Sequence, residues 1–347
     1  MEISNVFITC LAFLAVEAVA QQAPYPPSDY IKTVEWDTAS TIQYGLGSDQ
    51  WPVTWADDDQ VYSAWGDGHG WNHEKGENKV SIGVTRISGQ PPQLHGTDTW
   101  GAGPGSSFGK PDALVAFDNK LFMFWNNGDS RFDHDSYPSV SLDSGKTWEL
   151  GSERVFKYAP VGFRVRGICQ FGPGYKGAPE DYLYVYFGLN RHPDIYLARV
   201  KKEEIFNDNA YEWYAYRKPD GSAAWSGDFG KRSVVFHDNN AYLWHVSVNY
   251  NPGLDRYILT KPHFTATDNR DDVLADISSL GIFDAPTPWG PWTTVYYEDH
   301  FLDKYVKFNF FIPNKYLDGE GKTFWLGWSG WPEYDNVNFI KGRFVVY

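Results

Sequence analysis

Cysteine is almost missing from this chain: two residues in 347. Cys10 falls in the N-terminal apolar stretch, so a processed chain keeps Cys169 alone, and no intrachain disulfide can staple the fold. Cys169 sits in Gly167-Ile168-Cys169-Gln170-Phe171 with no activating partner in the sequence. That context predicts a buried structural thiol rather than a nucleophile. Metal signatures are missing too: no H-E-x-x-H, no cysteine pair and no two-histidine-one-carboxylate spacing, which argues against a transition-metal centre. The G-x-S-x-G turn of α/β-hydrolases is absent, and no N-x-S/T sequon occurs. Basic charge is short, 30 Lys+Arg against 44 Asp+Glu for a net charge of −14. That sign argues against nucleic acid as a partner, and a strongly anionic polymer would need a local Arg or Lys cluster. Helical periodicity is lacking almost everywhere; only 201–206 and 271–280 suit a turn or two of helix. No apolar run is long enough to span a bilayer, so no membrane contact is expected.

One shorter apolar run does occur, over residues 6–16, followed by Ala18-Val19-Ala20 before Gln21. Run length and the A-x-A site together predict a signal peptide over 1–20 and a secreted, soluble product. The rest, 21–347, is expected to form one catalytic domain and to act as a monomer. Loss of Glu2 and Glu17 with the signal leaves −14 + 2 = −12.

What the chain has in abundance is aromatic residues, 18% of the total with 16 Trp and 23 Tyr. They fall in short β-rich runs punctuated by Gly, Pro, Asn and Asp. A unit recurs: an apolar strand, a polar turn, then a second strand rich in aromatics. It is read at 53–55 with 60–66, 112–117 with 120–125, 167–171 with 181–187, 233–236 with 241–248, and 309–312 with 323–328. Third strands follow at 79–87, 137–142, 194–200, 256–261 and 338–346, and fourth strands at 213–216 and 293–297. Five such units predict an all-β fold, a five-bladed β-propeller in a single domain; a β-sandwich is the structural alternative. Asp and Asn suit the turns because they tolerate left-handed backbone.

In a propeller the first strand of each blade lines the central channel, and the loops leading into those strands form a funnel. Asp49 precedes the first strand of blade one, and Asp67, in Gly66-Asp67-Gly68-His69-Gly70, ends its second strand. A hairpin brings its ends together, so both carboxyls are expected at one rim, as glycoside hydrolysis requires. Asp112, in Lys110-Pro111-Asp112, is read in the equivalent place of blade two and Asp228 in that of blade four. Asp49, Asp67 and Asp112 are the catalytic candidates. Blade three carries Arg164 and Arg166 there instead, suited to a uronate or to holding an acid ionised. Trp51, His69, Trp71, Lys110, Arg164, Arg166 and Asp228 are the substrate-binding candidates. Trp225, Trp289 and Trp292 are further aromatics for a sugar platform, and His245 reads as a core or channel residue. No cofactor is expected, with Ca²⁺ in the channel or the Asp57-Asp58-Asp59 turn as the one ion to consider.

Ser141-Leu142-Asp143-Ser144-Gly145-Lys146-Thr147-Trp148 matches the S-x-D-x-G-x-T-W Asp-box of sialidase-like propellers, a folding device rather than a site. This box, the run from Asp49 to Gly66-Asp67-Gly68, and the segments Asn249-Tyr250-Asn251-Pro252-Gly253-Leu254 and Trp289-Gly290-Pro291-Trp292 resemble a secreted five-bladed propeller family. Long of unknown function, that family includes endo-acting D-arabinan hydrolases. The resemblance implies a secreted glycoside hydrolase of a plant, microbial or algal polysaccharide, furanose-containing or related, with Asp49 and Asp67 as its acidic pair. Some propellers of similar look are uronate lyases, with a His or Tyr base and Arg on the carboxylate. His69, Arg164 and Arg166 keep a lyase of a rhamnose-glucuronate type of glycan as the alternative, and a non-catalytic glycan binder is the third reading.

Overall fold

The computed structural model of the protein describes residues 22–71, 79–101, 105–128, 135–189, 192–240, 245–265 and 277–347. The signal-peptide expectation lies outside the described residues, as does most of the helix expected at 271–280; Leu280 opens a strand. Among the described residues there is no α-helix, only short 3-10 turns, one of them Lys202–Glu204 where a helical turn was expected. No helix of the described residues is long and apolar enough to cross a membrane.

Five antiparallel sheets follow one another along the chain. Blade one is Val53–Trp55, Val61–Gly68, Val80–Gln90 and Gln93–Trp100; blade two is Lys110–Phe117, Lys120–Asn126, Ser136–Ser141 and Glu149–Leu150. Blade three runs Arg164–Ile168, Tyr182–Gly188, Asp194–Lys201, Glu212–Arg217 and Ala223–Ser226, and Val234–His237 pairs with the free end of Asp194–Lys201. Blade four is Ser247–Asn251, Arg256–Lys261, Leu280–Ala285 and Thr293–Glu298. Blade five is Phe308–Phe311, Thr323–Ser329 and Val337–Val346, completed by the N-terminal strand Ile31–Tyr44, which pairs with Val337–Val346. The predicted five-bladed propeller is therefore the fold.

Two blade boundaries differ from the sequence reading. Residues 233–236 were expected to open blade four; Val234–His237 instead closes blade three, and the inner strand of blade four is Ser247–Asn251. Both stretches are short, β-branched and aromatic, so local pattern does not tell an outer strand from an inner one. In blade three the inner strand begins at Arg164 rather than Gly167, which puts both arginines inside the strand.

Blades pack face to face, so middle strands are buried on both sides and read as nearly continuous apolar runs. Val61–Gly68 and Lys120–Asn126 are buried at almost every position. The core divides by blade contact. Trp51 and Trp65 meet Phe311 and Phe339 between blades one and five, and Ala64 and Val84 meet Leu114 and Met123 between blades one and two. The tight turn of blade two places Asp118 at φ 53° and Asn119 at φ 58°, the left-handed pair that a two-residue hairpin needs. The S-x-D-x-G-x-T-W segment lies at the outer edge of this blade. Asp143 accepts hydrogen bonds from Ser141 Oγ, Lys146 N, Thr147 N and Thr147 Oγ1, while Trp148 packs on Trp100 of blade one.

Candidate functional site

Asp49 and Gly66 form an antiparallel bridge, with Asp49 N donating to Gly66 O at 3.0 Å and Gly66 N to Asp49 O at 2.9 Å. This extends the first hairpin of blade one by one pair and puts Asp67 beside Asp49 on the same rim, as the hairpin argument expects. Ser48 fixes the crossing: its hydroxyl accepts from His69 N at 2.9 Å and from Gly70 N at 2.7 Å. Glycine is required opposite it, because a Cβ on Gly68 would lie 2.0 Å from Ser48 Oγ. Gln50 at φ 78°, Trp51 at 59° and Asp67 at 46° are all left-handed without being glycine. Strain of this kind is held only where surrounding structure over-determines it, and it gathers at functional sites. Here the anchor is Trp51, fully buried, with its indole N–H on Ser48 O.

The two carboxyls sit in different surroundings. Asp49 is buried, and its Oδ1 has no hydrogen-bond partner. Burial pushes its pKa well above the ordinary aspartate value, the charges of Asp67 and Asp335 push the same way, and Lys110 and Lys79 oppose them. Asp49 therefore keeps its proton where an ordinary carboxyl has lost it. Asp67 is half in solvent and ion-paired with Lys110 of blade two at 2.7 Å. Gly66 leaves the space between them open; a methyl there would lie 2.8 Å from Asp49 Oδ1 and 3.2 Å from Lys110 Cδ. One proton-bearing acid beside one cation-held carboxylate is the division of labour that acid–base chemistry on a glycosidic bond uses.

Behind the rim lies the channel, a narrow cavity lined from all five inner strands, with Gln50, Asp112, Arg166, Gln170, His245 and Asn309 among its walls. Asp112 is 1% exposed. Its Oδ1 accepts from Asn126 Nδ2 at 2.9 Å and lies 3.5 Å from Arg164 Nη2 and 3.6 Å from His245 Nε2. Arg166, fully buried, donates its Nε–H to Gly188 O at 3.1 Å. Burial lowers the pKa of His245 in spite of Asp112, so the imidazole is neutral near pH 7. Both its ring nitrogens are engaged, with Asn309 at 2.8 Å and the Pro111 carbonyl at 3.1 Å.

The structure thus sorts the predicted residues into two groups: Asp49, Asp67 and Lys110 at the rim, and Asp112 and Arg166 on the channel wall with Arg164 buried against Asp112. Asp112 does not stand at the rim with Asp49, as the equivalence of blades implied. It lies inside the strand Lys110–Phe117, whose register shifts between Pro111 and Ala113. Asp228 is a correction: it is exposed at the outer side of blade three and caps the 3-10 turn Phe229–Lys231 by accepting from Gly230 N. Trp51 and Trp71 are corrections as platform residues. Trp51 is core, and Trp71 stacks on Tyr44 at 4.7 Å and fills the space over Gly96. His69 is buried, with its backbone tied to Ser48. Trp225 and Trp289 pack edge to face at 5.7 Å between blades three and four, and Trp292 is buried there. The Asp57-Asp58-Asp59 carboxylates are engaged by Lys176, Arg86 and Lys315 in turn, and no cluster of three metal-type ligands occurs among the described residues. Sequence reasoning missed Asp335, which reaches the rim from blade five through its carbonyl on Gly47 N at 2.7 Å. No motif marks it.

The class these strands define is the five-bladed β-propeller. No protein-family model matches the chain, and no curated protein matches it. Among solved structures, a GH43_1 enzyme from Xanthomonas citri aligns at TM-score 0.51 and 11% identity over 89% of this chain and 94% of that one. The same enzyme complexed with xylose gives TM-score 0.52 at the same identity and coverage. A protein of unknown function from Dyadobacter fermentans gives TM-score 0.53 and 9% identity over 91% of this chain and 100% of that one. These likenesses are of fold.

Proposed function

We propose that the protein is a glycoside hydrolase that cuts a plant, microbial or algal polysaccharide, furanose-containing or related, outside the cell. One observation carries the reading: the first hairpin of blade one brings a buried Asp49, whose pKa burial raises, and a solvent-facing, Lys110-paired Asp67 to one rim. Asp49 gives its proton to the leaving glycosidic oxygen. Asp67 faces the oxocarbenium-like charge and serves water attack as base or nucleophile, the separation of the reacting oxygens deciding between inversion and retention. Lys110 orients Asp67 through their 2.7 Å ion pair. The fold shared with a GH43_1 enzyme supports the carbohydrate chemistry, and the apolar run at 6–16 with its A-x-A site supports export.

Incubation with arabinans, arabinogalactans, xylans and uronate-bearing gums, read by product mass, tests the reading. Each cut should add one water. Asp49→Asn and Asp67→Asn should each lower kcat by about 10²–10⁴-fold, with neither variant melting below the parent. Full activity in either variant refutes the assignment. Products that gain no water and absorb in the ultraviolet would mean elimination rather than hydrolysis.

A further inference from the structure

The carboxylate pair is flanked by two aromatic side chains presented to solvent. On the blade-two side is Phe108, 50% exposed. Its backbone is clamped by one hydroxyl: Ser106 Oγ donates to Phe108 O at 2.6 Å and accepts from Phe108 N at 3.2 Å. Ser106 is in turn bridged to Ile82 of blade one. The Phe108 ring leans edge-on against Trp125 at 5.5 Å, and Trp125 stacks on Tyr137 at 4.7 Å, so the ring stands on a rigid aromatic base. Lys110, the partner of Asp67, is two residues further along. On the blade-five side is Tyr334, 37% exposed, with its ring 4.9 Å from that of Phe308. Its neighbour Asp335 holds Gly47 N, two residues before Asp49, and its carboxylate bears on the Asp49 proton. Blade one lies between blades five and two. Chain position therefore puts the Phe108 loop on the blade-two side of blade one and the Tyr334 loop on its blade-five side.

We infer that Phe108 and Tyr334 are sugar-stacking subsites on either side of the cleavage point, one for glycan running toward blade two and one for glycan running toward blade five. The inference rests on the rim pair being the site of cleavage. An aromatic face left in water is an unfavourable arrangement that the C–H face of a pyranose or furanose ring relieves. A ring already fixed by packing loses little freedom when a sugar stacks on it. Occupants on both sides of one carboxylate pair mean glycan continuing in both directions. Neither ring was marked by the sequence, where Trp51 and Trp71 were the expected platform and proved to be packing residues.

The test uses the full chain carrying Asp49→Asn, so that bound polymer is not consumed, run through native gels holding soluble arabinan, arabinogalactan, xylan or a uronate-bearing gum. At least one polymer should retard it. Adding Phe108→Ala or Tyr334→Ala should weaken retention about tenfold each, the worth of one stacking contact, with Tm unchanged; the double change should abolish it. Retardation by none of the polymers, or retardation indifferent to both substitutions, overturns the inference. In the otherwise unaltered protein each alanine should raise KM for polymer and shift early products toward a few fixed lengths. Retention that depends on both rings in a protein that never cleaves would sink the hydrolase reading and leave the subsites standing. Cleavage with unchanged KM in both variants would do the reverse.

Discussion

Lys110 of blade two reaches across the blade boundary to Asp67 of blade one, Nζ to Oδ1 at 2.7 Å, over the bare Cα of Gly66. The same ammonium acts against the upward push on the Asp49 proton. One side chain therefore pairs with Asp67 and opposes the retention of the Asp49 proton that burial favours. Lys110→Met should cost about tenfold or less in kcat/KM, since the pair is partly in solvent. The alkaline limb of the pH–rate profile should move to higher pH, because removing a cation raises the pKa of the acid that must stay protonated. A limb that stays in place would mean that Asp49 does not supply the proton.

Burial of Asp49 has a cost that depends on pH. Its folded-state pKa lies above its unfolded value of about 3.8, so between those two values the folded chain binds the extra proton. Stability from this group is complete below the unfolded value and falls as pH rises through the window, by about 1.4 kcal/mol per unit for one group. Asp49→Asn removes the slope. The variant should match the parent near pH 4 and melt higher at pH 7. Calorimetry across that range decides it; a parent that gains on the variant with rising pH contradicts the buried-acid assignment.

The channel cluster holds two buried guanidiniums against one carboxylate, and Arg164 Nε and Nη1 and Asp112 Oδ2 have no hydrogen-bond partner. Arg164→Met should destabilise the fold by about 3–5 kcal/mol, because it strips Asp112 of a buried counter-charge. Asp112→Asn should be costly for the converse reason. In the double variant the losses should add to less than their sum, as read by urea midpoints. Strict additivity would show that the 3.5 Å contact between them carries no coupling.

Blade number and the rim pair were legible in the sequence because both follow from local rules. Turn residues at fixed offsets mark hairpins, and a hairpin brings its ends together whatever surrounds it. Asp49 and Asp67 are a case of that geometry, and Asp118-Asn119 is another. What depends on neighbouring blades was not legible. Val234–His237 reads as an inner strand, yet it ends on blade three, since only the vacant end of Asp194–Lys201 decides its partner. Asp112 shares the pre-strand place of Asp49 in pattern, but Asn126, Arg164 and His245 draw it into the channel. Trp51 looked like a sugar platform because it follows Asp49. Its left-handed backbone turns it instead into the core between blades one and five. Phe108 and Tyr334 carry no motif, and only exposure beside the pair sets them apart.

The strand that completes blade five is the first described strand of the chain, and its partner is the last. Lys341 N bonds Ser40 Oγ across 301 positions of sequence. Sealing such a ring means bringing together the most distant parts of the polymer, a step whose entropy must be met before its contacts return anything. A nascent chain can assemble blades one to four as it emerges, but the circle stays open until residues 337–346 arrive. Any cut that frees either end should loosen the whole disc, the rim carboxyls included, although they lie in a different blade.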